Sequence, residues 1–323
     1  MRVRCAAAVT ALGMMWAAPA AAQTFGVWFD NDIIAGNDQY YTNGIQLYYI
    51  TPERLIGGVD WLSDQVPGAA MPTRRRYGFA LGQKMFTPRD LSRVNPDPKD
   101  QPYAGWLYGR LSVVTEEATQ ADTFELDLGV VGPLSLAEDT QKFVHRAVSG
   151  STYPRGWSHQ LENEPGIVLT YQRAWRTAEP QRVGPFQMDV TPHALASVGN
   201  IVTFAGGGAT IRFGQGMEPL IGPLVDRPIT PIPYQDSVGQ GFTWYLYASA
   251  EARLIARNIF LDGNTFRDSR SVDKIPGVAT VQAGLTVKYD WLSLTAAYNV
   301  TTPEFTEQQG FAKYGSLRVS FRF

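Results

Sequence analysis

The chain has 323 residues, 44% of them hydrophobic and only 18% charged, enough for one large β domain or two small ones. A formal net charge of −2 offers no basic field for nucleic acid. The mean hydropathy of −0.17 excludes a bundle of membrane-spanning helices, but not a barrel whose strands hide half their side chains in a polar lumen.

Residues 1–22 read as a secretory signal. Arg2 and Arg4 charge the start, Ala6–Trp16 is a short apolar core, and Ala20-Ala21-Ala22 before Gln23 is a small-residue cleavage site. Cys5 is the one cysteine, so the mature domain, 23–323, is expected to hold no disulfide. Period-two patterning then marks candidate strands at Thr24–Asp32, Tyr41–Ile50, Arg75–Lys84, Leu107–Glu116 and Thr123–Val131. The period changes at Ser135–Gly150, SLAEDTQKFVHRAVSG, which predicts a helix with Ser135 and Glu138 as a capping box and Gly150 as its stop. Strands resume at Ile167–Trp175, Phe186–Leu195, Ile201–Phe213, Phe242–Ala256, Val278–Lys288, Trp291–Thr301 and Lys313–Phe323.

The last of these, KYGSLRVSFRF, alternates without a break: Leu317, Val319, Phe321 and Phe323 on one side, Ser316, Arg318, Ser320 and Arg322 on the other. A soluble sandwich would tolerate that pattern. A final strand closing on a terminal aromatic, behind a secretory signal, reads instead as a Gram-negative outer-membrane barrel, with the apolar side on lipid and the arginines in the lumen. The expected fold is all-β: a closed antiparallel transmembrane barrel of about twelve strands with one short helix on the extracellular side. With both termini in the periplasm, Asp30–Tyr40, Met85–Trp106, the helix and Asn258–Gly277 fall at the outer rim. The turns Pro52–Arg74 and Glu117–Asp122 fall at the inner one.

Polar material worth weighing gathers at the outer rim. Asp30-Asn31-Asp32 ends the first strand and offers hard oxygen ligands of the kind Ca²⁺ takes, although Asx residues also make ordinary turns. In a regular strand Asp30 and Asp32 share a face, so Asn31 and Asp32 can meet one ion only where the strand bulges or ends. Tyr41-Thr42-Asn43-Gly44 opens the next strand, placing Thr42 beside Asp32, and Asn-Gly is equally a turn signal. Gln83-Lys84 ends the third strand, where a lone Lys is usually just solvated. On the helix, Gln141 and His145 are one turn apart and share a face, with Ala137, Val144 and Val148 supplying an apolar stripe. A lone helical His is more often structural than catalytic, but a neutral imidazole beside an acidic rim can act as a general base. There is no G-x-S-x-G elbow and no H-E-x-x-H zinc motif.

These segments, in this order, resemble the lipid A 3′-O-deacylase (LpxR) family of outer-membrane enzymes. The matching pieces are Asn31-Asp32, Tyr41–Gly44, GQKMFTP at Gly82–Pro88, DQPYAGWLY at Asp100–Tyr108 and LGVVGP at Leu128–Pro133. They continue with QKFVH at Gln141–His145, GWSHQLENEPG at Gly156–Gly166 and NIFLDGNTFRDSRSVDK at Asn258–Lys274. The resemblance implies a twelve-stranded barrel with a Ca²⁺-dependent esterase site at its outer rim, removing the 3′-linked acyloxyacyl group of lipid A. It puts Asn31, Asp32, Thr42, Gln141 and His145 on active-site positions, with Asp32 and Asn31 expected on the metal; Lys84 is a further candidate, for substrate binding. The attacking group is water, or alternatively Thr42 with His145 as its base. The family pattern carries an acidic residue just past the helix, where this chain reads Gly150-Ser151-Thr152-Tyr153, so Glu162 or Glu164 becomes the candidate replacement. Lipopolysaccharide and the outer membrane are the partners implied; no oligomer is. The competing readings are a non-catalytic barrel, channel or adhesin, and a barrel phospholipase.

Overall fold

A computed structural model describes residues 23–32, 40–52, 74–147, 153–175, 180–217 and 241–323. The segment 1–22 read as a secretory signal, most of the turn Pro52–Arg74, Val148 and the expected helix stop Gly150 lie outside these residues. In chain order the elements are β1 (Thr24–Asn31), β2 (Tyr40–Ile50), β3 (Arg74–Thr87), β4 (Ala104–Glu116), β5 (Gln120–Val131), α1 (Ala137–Ala147), β6 (Glu164–Trp175), β7 (Gln181–Val183) and β8 (Phe186–Gly199). After these come β9 (Val202–Gln215), β10 (Phe242–Asn258), α2 (Ile259–Asp262), β11 (Gly277–Tyr289), β12 (Leu292–Thr301) and β13 (Ala312–Arg322).

Every strand pairs antiparallel with its neighbour, and the sheet closes on itself. β1 pairs with β13 from Thr24↔Arg322 to Asn31↔Gly315, and β6 pairs with β8 from Val168↔Gly199 to Ala174↔His193. β7 is a three-residue strand hairpinned onto β8 outside the ring, so twelve strands make the barrel. Closure removes the two unpaired edges that a membrane would leave unsatisfied.

The alternation of the last strand sets the register as expected. Leu317 is exposed and Arg318 is 7% exposed, its guanidinium 5.3 Å from the Trp28 ring centre and Nη2 donating to Thr295 Oγ1 at 3.3 Å. Outward positions elsewhere are apolar: Leu47, Leu81, Leu128, Ile167, Leu246 and Leu285. Inward positions are polar and paired. Arg110 forks onto Asp127 at 2.5 and 2.7 Å and meets Glu125 at 3.3 Å, and Arg212 pairs with Asp189. A cation taken into such an interior is tolerable only when carboxylates meet it. Trp175, Phe242, Tyr289, Trp291 and Phe323 are exposed at the rim that holds the two ends of the described chain, an aromatic belt of the kind found at a membrane boundary.

The opposite rim is a woven cap. Leu161 N donates to Tyr103 O at 2.9 Å, Arg155 N to Leu91 O at 3.0 Å, Arg270 Nη2 to Pro96 O at 2.7 Å, and Gln309 N to the Tyr40 hydroxyl at 3.1 Å. Several strands run further into this cap than their apolar alternation indicates: β3 continues to Thr87 and β10 to Asn258. Their ends pair beyond the lipid-facing band, where outward side chains need not be apolar.

The capping box does not form. Ser135 lies in a 3₁₀ turn, Pro133–Ser135, and its hydroxyl donates back to Gly132 O at 2.6 Å. Leu136 then takes a left-handed conformation (φ 59°), and α1 starts at Ala137. Pro133 favours that tight turn, which uses up the Ser135 hydroxyl before the helix begins.

Candidate active site

Three pieces of the cap carry the residues singled out in the sequence: the top of β1, the top of β2 and β3, and α1. β1 ends at Asn31, and Asp32 sits just beyond it, fully buried, its N–H donating to Thr42 O at 3.3 Å. The strand end required for Asn31 and Asp32 to converge is therefore present. On the other side of β2, Tyr41 pairs with Phe86 and Asn43 with Met85, leaving Thr42 as the extra residue of a bulge. The bulge reverses the inside–outside order. Ile45 and Leu47 face outward, yet Tyr41, of the same parity, turns inward and donates its hydroxyl to Asp30 Oδ2 at 2.7 Å. Thr42 Oγ1 shares a 2.6 Å hydrogen bond with Thr87 Oγ1, both residues buried.

Asp30 is held from several directions. Trp28 Nε1 donates to Oδ1 at 2.7 Å, Asn43 Nδ2 donates to the main-chain carbonyl at 2.9 Å, and Lys84 Nζ lies 3.8 Å from Oδ2 while donating to the Tyr41 hydroxyl at 3.0 Å. Gly44 leaves room for this cluster: a Cβ would come within 2.1 Å of the Tyr41 hydroxyl and 3.1 Å of Asp30 Oδ2, so the tyrosine would have to shift. Lys84 is thus not a solvated rim lysine but a 5% exposed cation built into the wall. The sequence reading passed over Asp30 and Tyr41 as partners of Lys84. The inward alternation Trp28, Asp30 was the available signal for one half of that cluster; the bulge concealed the other.

α1 stands against β3 and β4. Gly105 on β4 lets it approach, since a Cβ there would meet Ser135 Oγ at 2.1 Å and Ala137 Cβ at 2.4 Å. Ala137 packs with Met85, Leu91, Tyr103 and Trp157, and Gln83 Nε2 donates to Ser135 O at 2.7 Å. Ala137, Gln141 and His145 repeat every fourth residue and form the buried face, with Gln141 2% and His145 7% exposed. Gln141 Oε1 accepts from Trp157 Nε1 at 2.7 Å, while its Nε2 is buried with no hydrogen-bond partner among the described residues. Trp157, in the GWSHQ segment, is a fixing residue the sequence reading did not assign.

The other two histidines lie elsewhere. His159 Nδ1 is 3.1 Å from Ser158 Oγ in a 3₁₀ turn, and His193 Nε2 is 2.8 Å from Glu251 Oε2 in the lumen. Of the two suggested replacement carboxylates, Glu164 is hydrogen-bonded within the cap and Glu162 lies at the surface. Glu164 accepts from Asn200 Nδ2 at 2.9 Å, Asn264 Nδ2 at 3.1 Å and Thr265 N at 2.8 Å, tying β6 to the β8–β9 turn and the α2 loop. Glu162 faces Arg267 at the surface, 3.8 Å away. Asp100, from the DQPYAGWLY segment, likewise folds its own loop, accepting from Arg89 N at 2.9 Å and Gln101 N at 2.8 Å; burial pushes its carboxyl above the ordinary aspartate range against those bonds.

Among the described residues no group of three or more His, Cys, Asp or Glu could hold a metal ion. The donors at the β1–β2 corner are nevertheless all hard oxygens: the Asp32 carboxylate, the Asn31 amide, and the hydroxyl and carbonyl of Thr42. That set fits Ca²⁺ in kind and not a soft metal, with most of its about six to eight oxygens left to main chain, water and substrate.

A closed twelve-strand antiparallel barrel, apolar outside, polar inside and capped at one rim by buried polar residues, defines an outer-membrane protein with a candidate site in its cap. The sequence pattern described as outer membrane protein LpxR matches residues 3–323, and the chain belongs to the LpxR family. Among solved structures, LpxR from Salmonella typhimurium is similar at 19% identity and a TM-score of 0.74, covering 93% of this chain and 100% of that one. The β domain of the Bordetella autotransporter BrkA is more remote, at 10% identity and a TM-score of 0.44 over 94% of this chain and 99% of that one. No curated protein sequence matches the chain.

Proposed function

We propose that the chain is a lipid A 3′-O-deacylase, a carboxylic ester hydrolase that depends on Ca²⁺ and works at the outer-leaflet rim. The observation that carries this reading is the placement of Gln141 and His145 on the buried face of α1, in the same cap as the Asp32–Thr42 corner. Periplasmic termini put that cap outside the cell, where the ester bonds of lipid A lie near the headgroup boundary. A site there meets the lipid without extracting it.

Asp32 and Asn31 would hold the ion. When bound, Ca²⁺ supplies a positive charge that polarises the ester carbonyl and stabilises its oxyanion. His145 takes a proton from an attacking water and returns it to the departing sugar oxygen, giving a free fatty acid and a free 3′-hydroxyl. Gln141, anchored through Trp157, has an amide N–H to offer the His145 ring, the water or the ester oxygen. Water is preferred over Thr42 as nucleophile because the Thr42 hydroxyl is already shared with Thr87. Lys84 lies one layer below, where its charge adds to the field at the corner.

Purified protein incubated with lipid A, and separately with glycerophospholipid, with Ca²⁺ or chelator, tests the reading by mass spectrometry of the products. Loss of the 3′-acyloxyacyl group from lipid A in Ca²⁺ alone is expected. Release from glycerophospholipid instead would make the protein a phospholipase, and no product from either lipid would make it an inert barrel.

A further inference from the structure

α1 is amphipathic the wrong way round for a helix bathed in water. Its buried face carries Gln141 and His145, while Phe143, on the opposite side, is 70% exposed. Leu136 and Leu134, just before the helix, are more than half exposed. A helix between protein and water places its large apolar residues inward. The exposed face of α1 therefore has a non-aqueous neighbour.

The position of the helix says which one. It follows β5 after a single 3₁₀ turn, and β5 and β6 have 12 residues each. A tilted strand needs about 9–11 residues to cross the hydrocarbon, so these two strands end at the membrane boundary, unlike the 17-residue β10. Their outward side chains Leu128, Ile167 and Leu169 are exposed to lipid, and Leu134 continues that surface upward. Basic residues sit above it: Lys142 and Arg146 lie 5.9 and 5.7 Å from the Tyr153 ring centre, with Arg146 Nη2 donating to the Tyr153 hydroxyl at 3.0 Å. Glu138 pairs with Lys142 one turn on, and Asp139 is exposed one turn before Phe143, at the end of the helix where an acid suits the dipole.

We propose that the outward face of α1, formed by Leu134, Leu136 and Phe143, is seated in the headgroup–acyl boundary of the outer leaflet, with Arg146, beside the Lys142–Glu138 pair, level with its anionic headgroups. Lipid covers what water would otherwise touch, and aromatic and basic side chains take the levels they prefer at an interface. The inference rests on the barrel and on the cap facing outward, not on the enzymatic reading.

Because Cys5 is the chain's one cysteine and lies in the signal segment, a single new thiol can be read without background. The variant Phe143→Cys, labelled with an environment-sensitive fluorophore, is reconstituted in vesicles of phosphatidylethanolamine and phosphatidylglycerol carrying nitroxide lipids. Val94→Cys, on an exposed cap loop, and Leu285→Cys, mid-strand on the lipid face, are the two references. The label at 143 is expected to be quenched by nitroxide placed near the headgroup, and several-fold less by aqueous iodide than the label at 94. Iodide quenching equal to that at 94 overturns the proposal. Protection from both quenchers also overturns it, since that face would then be covered by protein, a second copy included. Heat-modifiable migration on gels confirms that each variant is a folded barrel before the reading is taken.

Discussion

Gly105→Ala probes whether the seating of α1 controls the site, without touching a polar group. The added Cβ would stand 2.1 Å from Ser135 Oγ and 2.4 Å from Ala137 Cβ, where ordinary contacts begin near 3.4 Å. The segment leading into α1 must therefore retreat by about 1 Å, carrying Gln141 and His145 with it. A misplacement of about 1 Å at a catalytic group costs about a hundredfold in rate, or about 2.7 kcal/mol of transition-state stabilisation. Gly109→Ala is the matched control: it lies on the same strand, and nothing stands within 4 Å of the added methyl. Deacylation of lipid A is followed by mass spectrometry over time for both variants and the parent, with barrel integrity checked by heat-modifiable gel migration. A large loss in Gly105→Ala, with Gly109→Ala close to the parent, is expected. If the two variants deacylate equally well, the position of α1 does not set the chemistry, and the role given to its buried face is wrong.

His145→Ala should lose about a hundredfold or more in turnover, as removal of a general base does, with the barrel unchanged, whereas His159→Ala should turn over normally; comparable rates in the two would remove His145 from the mechanism. His193→Ala should keep the site but lower the resistance of the barrel to urea by about 1–3 kcal/mol, because Glu251 loses a buried partner 2.8 Å away. Asp32→Ala should abolish the Ca²⁺ requirement together with activity, and full activity in chelator would dismiss the metal. Tyr41→Phe removes both the donor to Asp30 and the acceptor of Lys84, so it should destabilise the barrel by about 1.5–3 kcal/mol in the same urea titration. An unchanged midpoint would show that this cluster contributes little.

The barrel was legible because its rule is local: alternate residues face lipid or lumen, and each strand displays the rule for itself. Leu317 and Arg318 reveal their sides without reference to any other strand. The cap obeys no such rule. Tyr41 has outward parity and faces inward, because a bulge at Thr42 is set by how β2 meets β3 and leaves no mark in the sequence of β2 alone. The Ser135 capping box matched its pattern, yet Pro133 had already folded the hydroxyl into an earlier turn. Gln141 and His145 were recoverable because a one-turn spacing fixes a shared face on any helix. Trp157, which holds Gln141, comes from a separate loop and becomes its neighbour only through the packing of Tyr103 and Ala137. Glu164 illustrates the reverse limit, for a carboxylate close in sequence can be bonded to neighbours as remote along the chain as Asn264 and Thr265.

That bonding bears on what holds a rim site still. Loops above a barrel have little apolar surface to bury, so their order must come from hydrogen bonds between them and from a few inserted aromatics. Phe86 and Phe260 stack at 4.0 Å between centroids, Tyr40 meets Phe305 edge-on at 5.7 Å, and Asn264 bonds with both Glu162 and Glu164. These contacts join the α2 loop to β3 and to the segment leading into β6, so the strands that flank α1 are braced from across the rim. The helix is fastened on its inner side by Ala137 and by Gln141 through Trp157, and on its outer side by the membrane if the seating of Phe143 is correct. A substrate drawn from the same leaflet would then approach along the surface that positions the helix. Detergent that replaces the leaflet should accordingly loosen α1 while leaving the α2 loop intact, and amide hydrogen exchange in micelles against vesicles would register that difference in 137–147 and not in 258–277.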